Sequence, residues 1–103
     1  MRLIKDVIKE MLSETPIRIE KVEKEILDRE ILRLAMIAEL DAISLYEQLA
    51  AATENENIRK VLLDVAKEEK THMGEFQTLL LKEDKEQIQE LEKGKTEVEE
   101  IGE

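Results

Sequence analysis

The sequence lacks cysteine and tryptophan entirely, and its 103 residues include only one proline, three glycines, one tyrosine and one phenylalanine. Without cysteine, disulfide frameworks, thiolate nucleophiles, zinc ribbons and iron–sulfur clusters are excluded, so a bound metal would need oxygen and imidazole ligands. The shortage of proline and glycine favours a few long helices. Because the apolar residues are almost all aliphatic, helix-on-helix packing is the expected architecture.

The charge balance is acidic, with 26 Asp and Glu residues against 16 Lys and Arg residues and a formal net charge of −10. Phosphate recognition relies on clustered basic residues, so this balance argues against a nucleic-acid partner and favours cations. No apolar run approaches the roughly 18 residues that a membrane span needs. The first residues carry charges where a signal peptide would be apolar. We therefore expect a cytoplasmic protein with no membrane association.

Apolar periodicity predicts helices along most of the chain. Residues Met1–Leu12 predict a short amphipathic helix, which ends before Pro16. From Pro16 to Ala52 the apolar residues recur at steps of three and four, which predicts one long helix with a kink near Asp28.

A second long helix is predicted to begin at a capping box formed by Thr53 and Glu56, and to run to about Leu81. A third, short helix is predicted at Asp84–Lys93. Gly94 is expected to stop it, and the polar residues that follow are expected to fray.

The chain accordingly divides into three parts. Residues 1–30 form an amino-terminal helical extension and the start of the first long helix, residues 31–81 a helical hairpin, and residues 82–103 a short helix followed by a polar tail or linker. Residues 31–52 are apolar around most of the helix circumference, so two helices cannot bury these faces alone. The predicted fold class is all-α: a two-helix antiparallel hairpin with short terminal helices that dimerises into a four-helix bundle.

Three polar residues interrupt the apolar faces of this hairpin. Glu39 stands between Ala35 and Ala42 on the first long helix, where the small neighbours leave space beside its carboxylate. Glu69 and His72 lie three residues apart on one face of the second. At 1.5 Å per residue, Glu39 and Glu69 are roughly 21 and 24 Å from the turn, so they should meet at one level.

A two-fold axis at this level would join four carboxylates and two imidazoles, a ligand set for two metal ions shared between two chains. Iron suits this mixed ligation, with manganese and zinc as alternatives. Binding should weaken as the pH falls, because the ligands must lose protons. A purely structural interpretation competes with it: Glu39 would pair with Arg33, and Glu69 would hydrogen-bond to His72 in the core of a helical oligomerisation module.

Two segments, Ala38–Tyr46 (AELDAISLY) and Glu68–His72 (EEKTH), resemble the encapsulated-ferritin family, two-helix ferritin-like proteins that reside inside encapsulin shells. The resemblance covers Ile31 to Leu81, about half of the chain. It implies a ferritin-like bundle in which two chains share a di-iron ferroxidase centre, with two irons per dimer. It also implies that the dimers associate into a ring, typically a decamer, inside the shell.

The resemblance assigns roles to individual residues. It implies that Glu39, Glu69 and His72 bind the iron and that Tyr46 lies nearby. From the residues alone, Tyr46 fits a packed core tyrosine as well as a group that donates to a metal ligand. Some family members carry extra acidic residues that form a secondary metal site, and Asp41 occupies one such position.

The leading functional hypothesis is therefore a ferroxidase for iron storage or detoxification in an encapsulin nanocompartment. The first alternative is a peroxide-reducing protein similar to rubrerythrin, which would need an external electron donor because no Cys-rich rubredoxin segment is present. The second is a non-catalytic helical oligomerisation module. Some encapsulated ferritins are fused to their shell protein, an arrangement that would make the stretch after Gly94 the start of a linker.

Overall fold

The structure, a computed structural model, describes residues 21–102. A short 3-10 helix at Lys24–Ile26 is followed by three α-helices: α1 (Leu27–Ala52), α2 (Glu56–Glu83) and α3 (Lys85–Gly102). These residues contain no strand, and the all-α class is confirmed. Among them, no helix combines the length and the apolar character needed to cross a membrane.

The first long helix starts later than predicted. α1 begins at Leu27, close to the kink expected near Asp28, and Glu23 is extended with φ −64° and ψ 144°. A helix in a protein persists where another element covers its apolar face. The end of α2 lies beside Arg33, which contacts Asp84, so within residues 21–102 the residues well before Arg33 have no long helix to pack on. The predicted helix at residues 1–12 and the predicted helix start at residue 16 lie outside the described residues.

α1 and α2 form an antiparallel hairpin, because contacts between them pair early residues of one helix with late residues of the other. Glu47 binds Lys70 through an ion pair of 2.9 Å, and Arg33 binds Asp84 at 2.8 Å. Only four apolar residues in the described part of the chain are buried: Leu34, Ala50, Ala66 and Leu80.

Large apolar side chains stay exposed along both helices of the hairpin. They are Ile31, Ile37, Leu40, Leu45, Leu49, Ile58, Val61, Leu63 and Leu79. An exposed apolar surface of this extent on so small a chain is typical of a protein–protein interface. The hairpin thus presents a surface suited to burial against another protein chain.

The cap of α2 differs from the predicted capping box of Thr53 and Glu56. Asn55 is the N-cap, and its Oδ1 accepts a hydrogen bond of 3.0 Å from the backbone N–H of Ile58. Thr53 instead ends α1, where its backbone N–H donates to the carbonyl of Leu49. The prediction was wrong by two residues, because Asn caps at least as well as Thr and Thr53 is already used by the preceding helix.

Arg59 holds the turn of the hairpin closed. Its Nε donates to the carbonyl oxygen of Ala50 at 3.1 Å, and its Nη2 donates to the carbonyl oxygen of Thr53. Its Nη1 forms an ion pair with Glu56. The last carbonyls of a helix have no partner within the helix, so this guanidinium on α2 satisfies groups that α1 leaves open.

α3 continues past Gly94 to Gly102, so the predicted stop at Gly94 is wrong. No described glycine adopts a positive φ, which means that Gly94 is not the left-handed residue that commonly ends a helix. Its neighbours are mainly Glu, Lys and Gln, all good helix formers, and together they outweigh the roughly 1 kcal/mol cost of one interior glycine.

Candidate metal centre

Glu39 on α1 and Glu69 and His72 on α2 come together midway along the hairpin. One ligand atom from each lies within 4.8 Å of the other two. The Nδ1 of His72 is 3.7 Å from an oxygen of Glu69 and 3.8 Å from an oxygen of Glu39. The expectation that the two glutamates share one level of the hairpin therefore agrees with the structure.

These distances exceed the length of a hydrogen bond, so His72 is not hydrogen-bonded to either carboxylate. Two donors that bind one metal ion at about 2.1 Å lie roughly 3 to 3.5 Å from each other. The spacing of the His72 nitrogen from the two carboxylates needs only small side-chain rotations to reach that range. The arrangement leaves room for an ion between its members.

Burial is uneven across the site. The side chains of Glu39 and Glu69 are 17% and 20% exposed, whereas that of His72 is 46% exposed. The Oε2 of Glu39 is buried and has no hydrogen-bond partner within residues 21–102. A buried polar atom without a partner is costly, and for a carboxylate oxygen the available remedies are a proton or a cation.

Burial is the main reason that the pKa of Glu39 is raised from 4.5 to about 7, and the neighbouring carboxylate of Glu69 raises it further. His72 opposes the rise, because a positive charge nearby favours the ionised form. Near neutral pH Glu39 is therefore protonated in about half of the molecules, and a cation that binds its carboxylate would displace that proton.

Glu75 is a member of this environment that sequence reasoning missed. It is exposed on α2, one turn after His72, and its charge contributes to the raised pKa of Glu39. The available signal was its spacing, since Glu75 follows His72 by three residues, as His72 follows Glu69.

The structure does not support the purely structural pairing proposed for these residues. Arg33 binds Glu30 and Asp84, each at 2.8 Å, and leaves Glu39 without a salt bridge to it. The separation between Glu69 and His72 is likewise too long for a hydrogen bond. Arg33 therefore gives Glu39 no salt bridge, and His72 gives Glu69 no hydrogen bond.

Tyr46 and Asp41 lie outside the three-residue group. Tyr46 is half-buried two turns after Glu39, and within residues 21–102 its hydroxyl has no hydrogen-bond partner. Asp41 is exposed, and residues two apart on a helix do not face the same side. Within the described residues, Asp41 is not a member of the group formed by the ligand atoms of Glu39, Glu69 and His72.

Comparison with known proteins places this hairpin in a family. Residues 30–101 match the family model described as rubrerythrin. The chain belongs to the rubrerythrin family. This ferritin-like chain is also 65% identical, over 72 residues, to the ferritin-like-encapsulin shell fusion protein of Pyrococcus furiosus. That match covers 70% of this chain and 21% of the relative, so the chain spans about a fifth of the length of the curated protein.

Among solved structures, the ferritin-like chain is similar to the encapsulated ferritin domain from Pyrococcus furiosus. The TM-score is 0.75 at 54% sequence identity, and the match covers 86% of this chain and 89% of that one. The resemblance to encapsulated ferritins and the ferritin-like fold class are both confirmed.

A ferritin-like family implies a di-iron centre, and the residues present fit one. Two carboxylates and one imidazole form a donor set that suits iron, and the unpaired Oε2 of Glu39 supplies a buried oxygen in need of a cation.

Proposed function

We propose that the chain is a ferroxidase that oxidises Fe(II) to Fe(III) at a di-iron site shared between two copies, for iron storage or detoxification inside an encapsulin shell. The observation that carries this proposal is the cluster of Glu39, Glu69 and His72, whose ligand atoms lie within 4.8 Å of one another around an unpaired buried carboxylate oxygen.

One chain supplies only half of such a site. It offers three donor residues, its His72 ring is half-exposed, and both helices of the hairpin carry exposed apolar side chains. A second copy related by a two-fold axis would supply three more donors and cover the exposed apolar face. The proposed complement is two irons per dimer, with manganese and zinc as competitors for the same ligands.

Each side chain has a definable task in this proposal. Glu39 releases its proton, Glu39 and Glu69 bind the Fe(II) substrate as carboxylates, and His72 binds it through a neutral ring nitrogen. Held side by side, two ferrous ions supply one electron each to a single oxidant molecule. The low exposure of Glu39 and Glu69 keeps bulk water from competing strongly for the same positions.

Two further residues are assigned supporting roles. Tyr46 would donate a hydrogen bond to a metal ligand or carry an electron, so Tyr46→Phe should slow oxidation and leave the number of irons bound unchanged. Asp41 would belong to a secondary metal site at the surface, so Asp41→Asn should reduce weak, additional iron binding alone. Equal loss of tight binding in either variant would contradict these roles.

The cellular setting proposed is an encapsulin nanocompartment in the cytoplasm. The shell-fusion relative from Pyrococcus furiosus supports a shell protein as partner, either separate or fused to the chain. Within the chain, residues 31–81 would form the catalytic hairpin, residues 1–30 an amino-terminal extension and residues 82–103 the connection outward. Dimers would associate into a ring, with a decamer as the expected size.

The deciding experiment is an anaerobic Fe(II) titration of metal-free protein, followed by admission of air and measurement of ferric absorbance. We expect saturation near one iron per chain and rapid oxidation. Glu39→Gln and Glu69→Gln should abolish both, while Glu68→Gln, which changes an exposed neighbour outside the cluster, should keep both. Saturable binding that survives in the first two variants would contradict the assignment.

Reduction of peroxide is the alternative that the rubrerythrin match favours. The two functions differ in the oxidant, since a ferroxidase should react faster with dioxygen and a peroxidase with hydrogen peroxide. Stopped-flow oxidation of the Fe(II)-loaded protein with each oxidant at equal concentration separates them.

A further inference from the structure

The junction between α2 and α3 is built around a buried carboxylate. Asp84 is 9% exposed, and its backbone N–H ends α2 by donating to the carbonyl of Leu80 at 2.9 Å. Its side-chain Oδ1 accepts the backbone N–H of Gln87 at 3.2 Å, which satisfies a free donor in the first turn of α3. A single residue therefore ends one helix and caps the next.

The second oxygen of the same carboxylate reaches back to the hairpin. Asp84 Oδ2 accepts from Nη2 of Arg33 on α1 at 2.8 Å, and Arg33 Nη1 is held in turn by Glu30 at 2.8 Å. Asp84 thus connects all three helices. Its buried negative charge is paired with a guanidinium through one charge-assisted hydrogen bond, which is shorter and stronger than a neutral one.

α3 has little else to fix its direction. Among the described helices it contacts α2 alone, and Asp84 is the one residue between them, with φ −138° and ψ 88°. Its apolar side chains face no other described helix. They are Ile88, Leu91, Val98 and Ile101, which are 44%, 43%, 69% and 84% exposed.

We propose that the Arg33–Asp84 ion pair is a latch that fixes the direction of α3 relative to the hairpin, and so determines which assembly of chains can form. The link to assembly rests on the self-association proposed above, whereas the direction of α3 is a property of the single chain. With the latch closed, α3 projects at one angle and its apolar side chains meet a second copy in one geometry. With the latch open, a one-residue junction lets the helix take many directions, and ordering it again opposes association.

Asp84→Asn removes the ion pair with Arg33 and keeps the hydrogen bond that caps α3. An amide oxygen still accepts from Gln87 N–H, and Asn is a good capping residue, but the amide nitrogen cannot accept from Arg33. Arg33→Met removes the guanidinium from the other side, and Arg33→Lys restores a cation that reaches the same carboxylate. Arg59→Met is the matched control, because Arg59 forms an ion pair at the opposite end of the hairpin.

The direction of α3 is measured directly by the distance between two spin labels. The sequence has no cysteine, so Lys60→Cys on α2 and Glu97→Cys on α3, both exposed, give unique attachment points. Diluting labelled chains into an excess of unlabelled ones leaves only distances within a chain. We expect a narrow distribution in the otherwise unchanged protein, in Arg33→Lys and in Arg59→Met, and a broad one in Asp84→Asn and Arg33→Met.

Assembly is then followed by light scattering over a dilution series of each variant. Opening the latch should raise the concentration needed for the largest species by about tenfold, which corresponds to about 1.4 kcal/mol, while Arg59→Met should not. Unchanged label distances in both latch variants would overturn the proposal, as would broadened distances with unaltered assembly. A chain that fails to oxidise iron would leave both readouts intact, so the ferroxidase and the latch are tested separately.

Discussion

His72 Nδ1 lies 3.8 Å from Glu39 Oε1 across the packing surface between α2 and α1. The contact is too long for a hydrogen bond and involves the carboxylate whose other oxygen is buried without a partner. Two helices thus hold a basic nitrogen and a desolvated carboxylate close together without joining them. In metal-free protein, burying the ionised Glu39 carboxylate costs free energy, and a proton or a metal ion would remove that cost.

Metal-free protein should become less stable as the pH rises from about 4.5 to about 7. The folded chain raises the pKa of Glu39, so it keeps a proton that the unfolded chain releases at lower pH. This stabilisation is complete below pH 4.5 and is lost as the pH rises through about 7; its size is roughly 3 kcal/mol. Urea unfolding with chelator at several pH values measures it. Glu39→Gln, which cannot ionise, should lack this part of the pH dependence.

Divalent metal should reverse that trend and stabilise the fold most at higher pH, because it binds the deprotonated ligands. Manganese serves as a probe that is not readily oxidised. At 100 times its dissociation constant it should add about 2.7 kcal/mol to the free energy of unfolding, seen as a higher thermal midpoint. The gain should disappear in His72→Ala and persist in Glu68→Gln. Equal stabilisation in these two variants would show that manganese binds elsewhere.

Asn55→Ala should destabilise the hairpin by about 1 kcal/mol, because the N–H of Ile58 loses its acceptor at the start of α2. Thr53→Ala should cost less, since Thr53 Oγ1 accepts only from the exposed N–H of Asn55. Chemical unfolding of both variants ranks the two caps. A larger loss of stability in Thr53→Ala than in Asn55→Ala would instead favour the capping box predicted from the sequence.

Gly94→Ala should stabilise the chain by up to about 1 kcal/mol. Gly94 has helical geometry inside α3, and a Cβ at this position would meet nothing within 4 Å. Higher helicity by circular dichroism and a raised thermal midpoint would report the gain. A loss of stability would mean that Gly94 packs closely against a second copy.

Periodicity was sufficient to predict the hairpin and the meeting of Glu39 with Glu69 and His72, because both depend on counting residues along two regular helices from one turn. The helix ends were harder to predict, because they depend on competition between neighbours. Asn55 and Thr53 are both good caps, and the choice follows from which of them the preceding helix uses.

A contact between side chains that are far apart in the sequence cannot be predicted from the residues next to either of them. Arg33 and Asp84 are 51 residues apart, and nothing in the sequence around either residue marks it as the partner of the other. The interior position of Gly94 likewise depends on summed preferences along α3 rather than on the glycine itself.

The half-exposed ring of His72 has a consequence for reactivity in the cell. If a complete site needs two chains, the number of sites in a dilute solution grows with the square of the chain concentration. On the proposed function, a newly made, solitary chain would hold Fe(II) weakly and would not oxidise it, so oxidation would begin only where chains are gathered at high local concentration. Confinement of the chains would then control when oxidation starts.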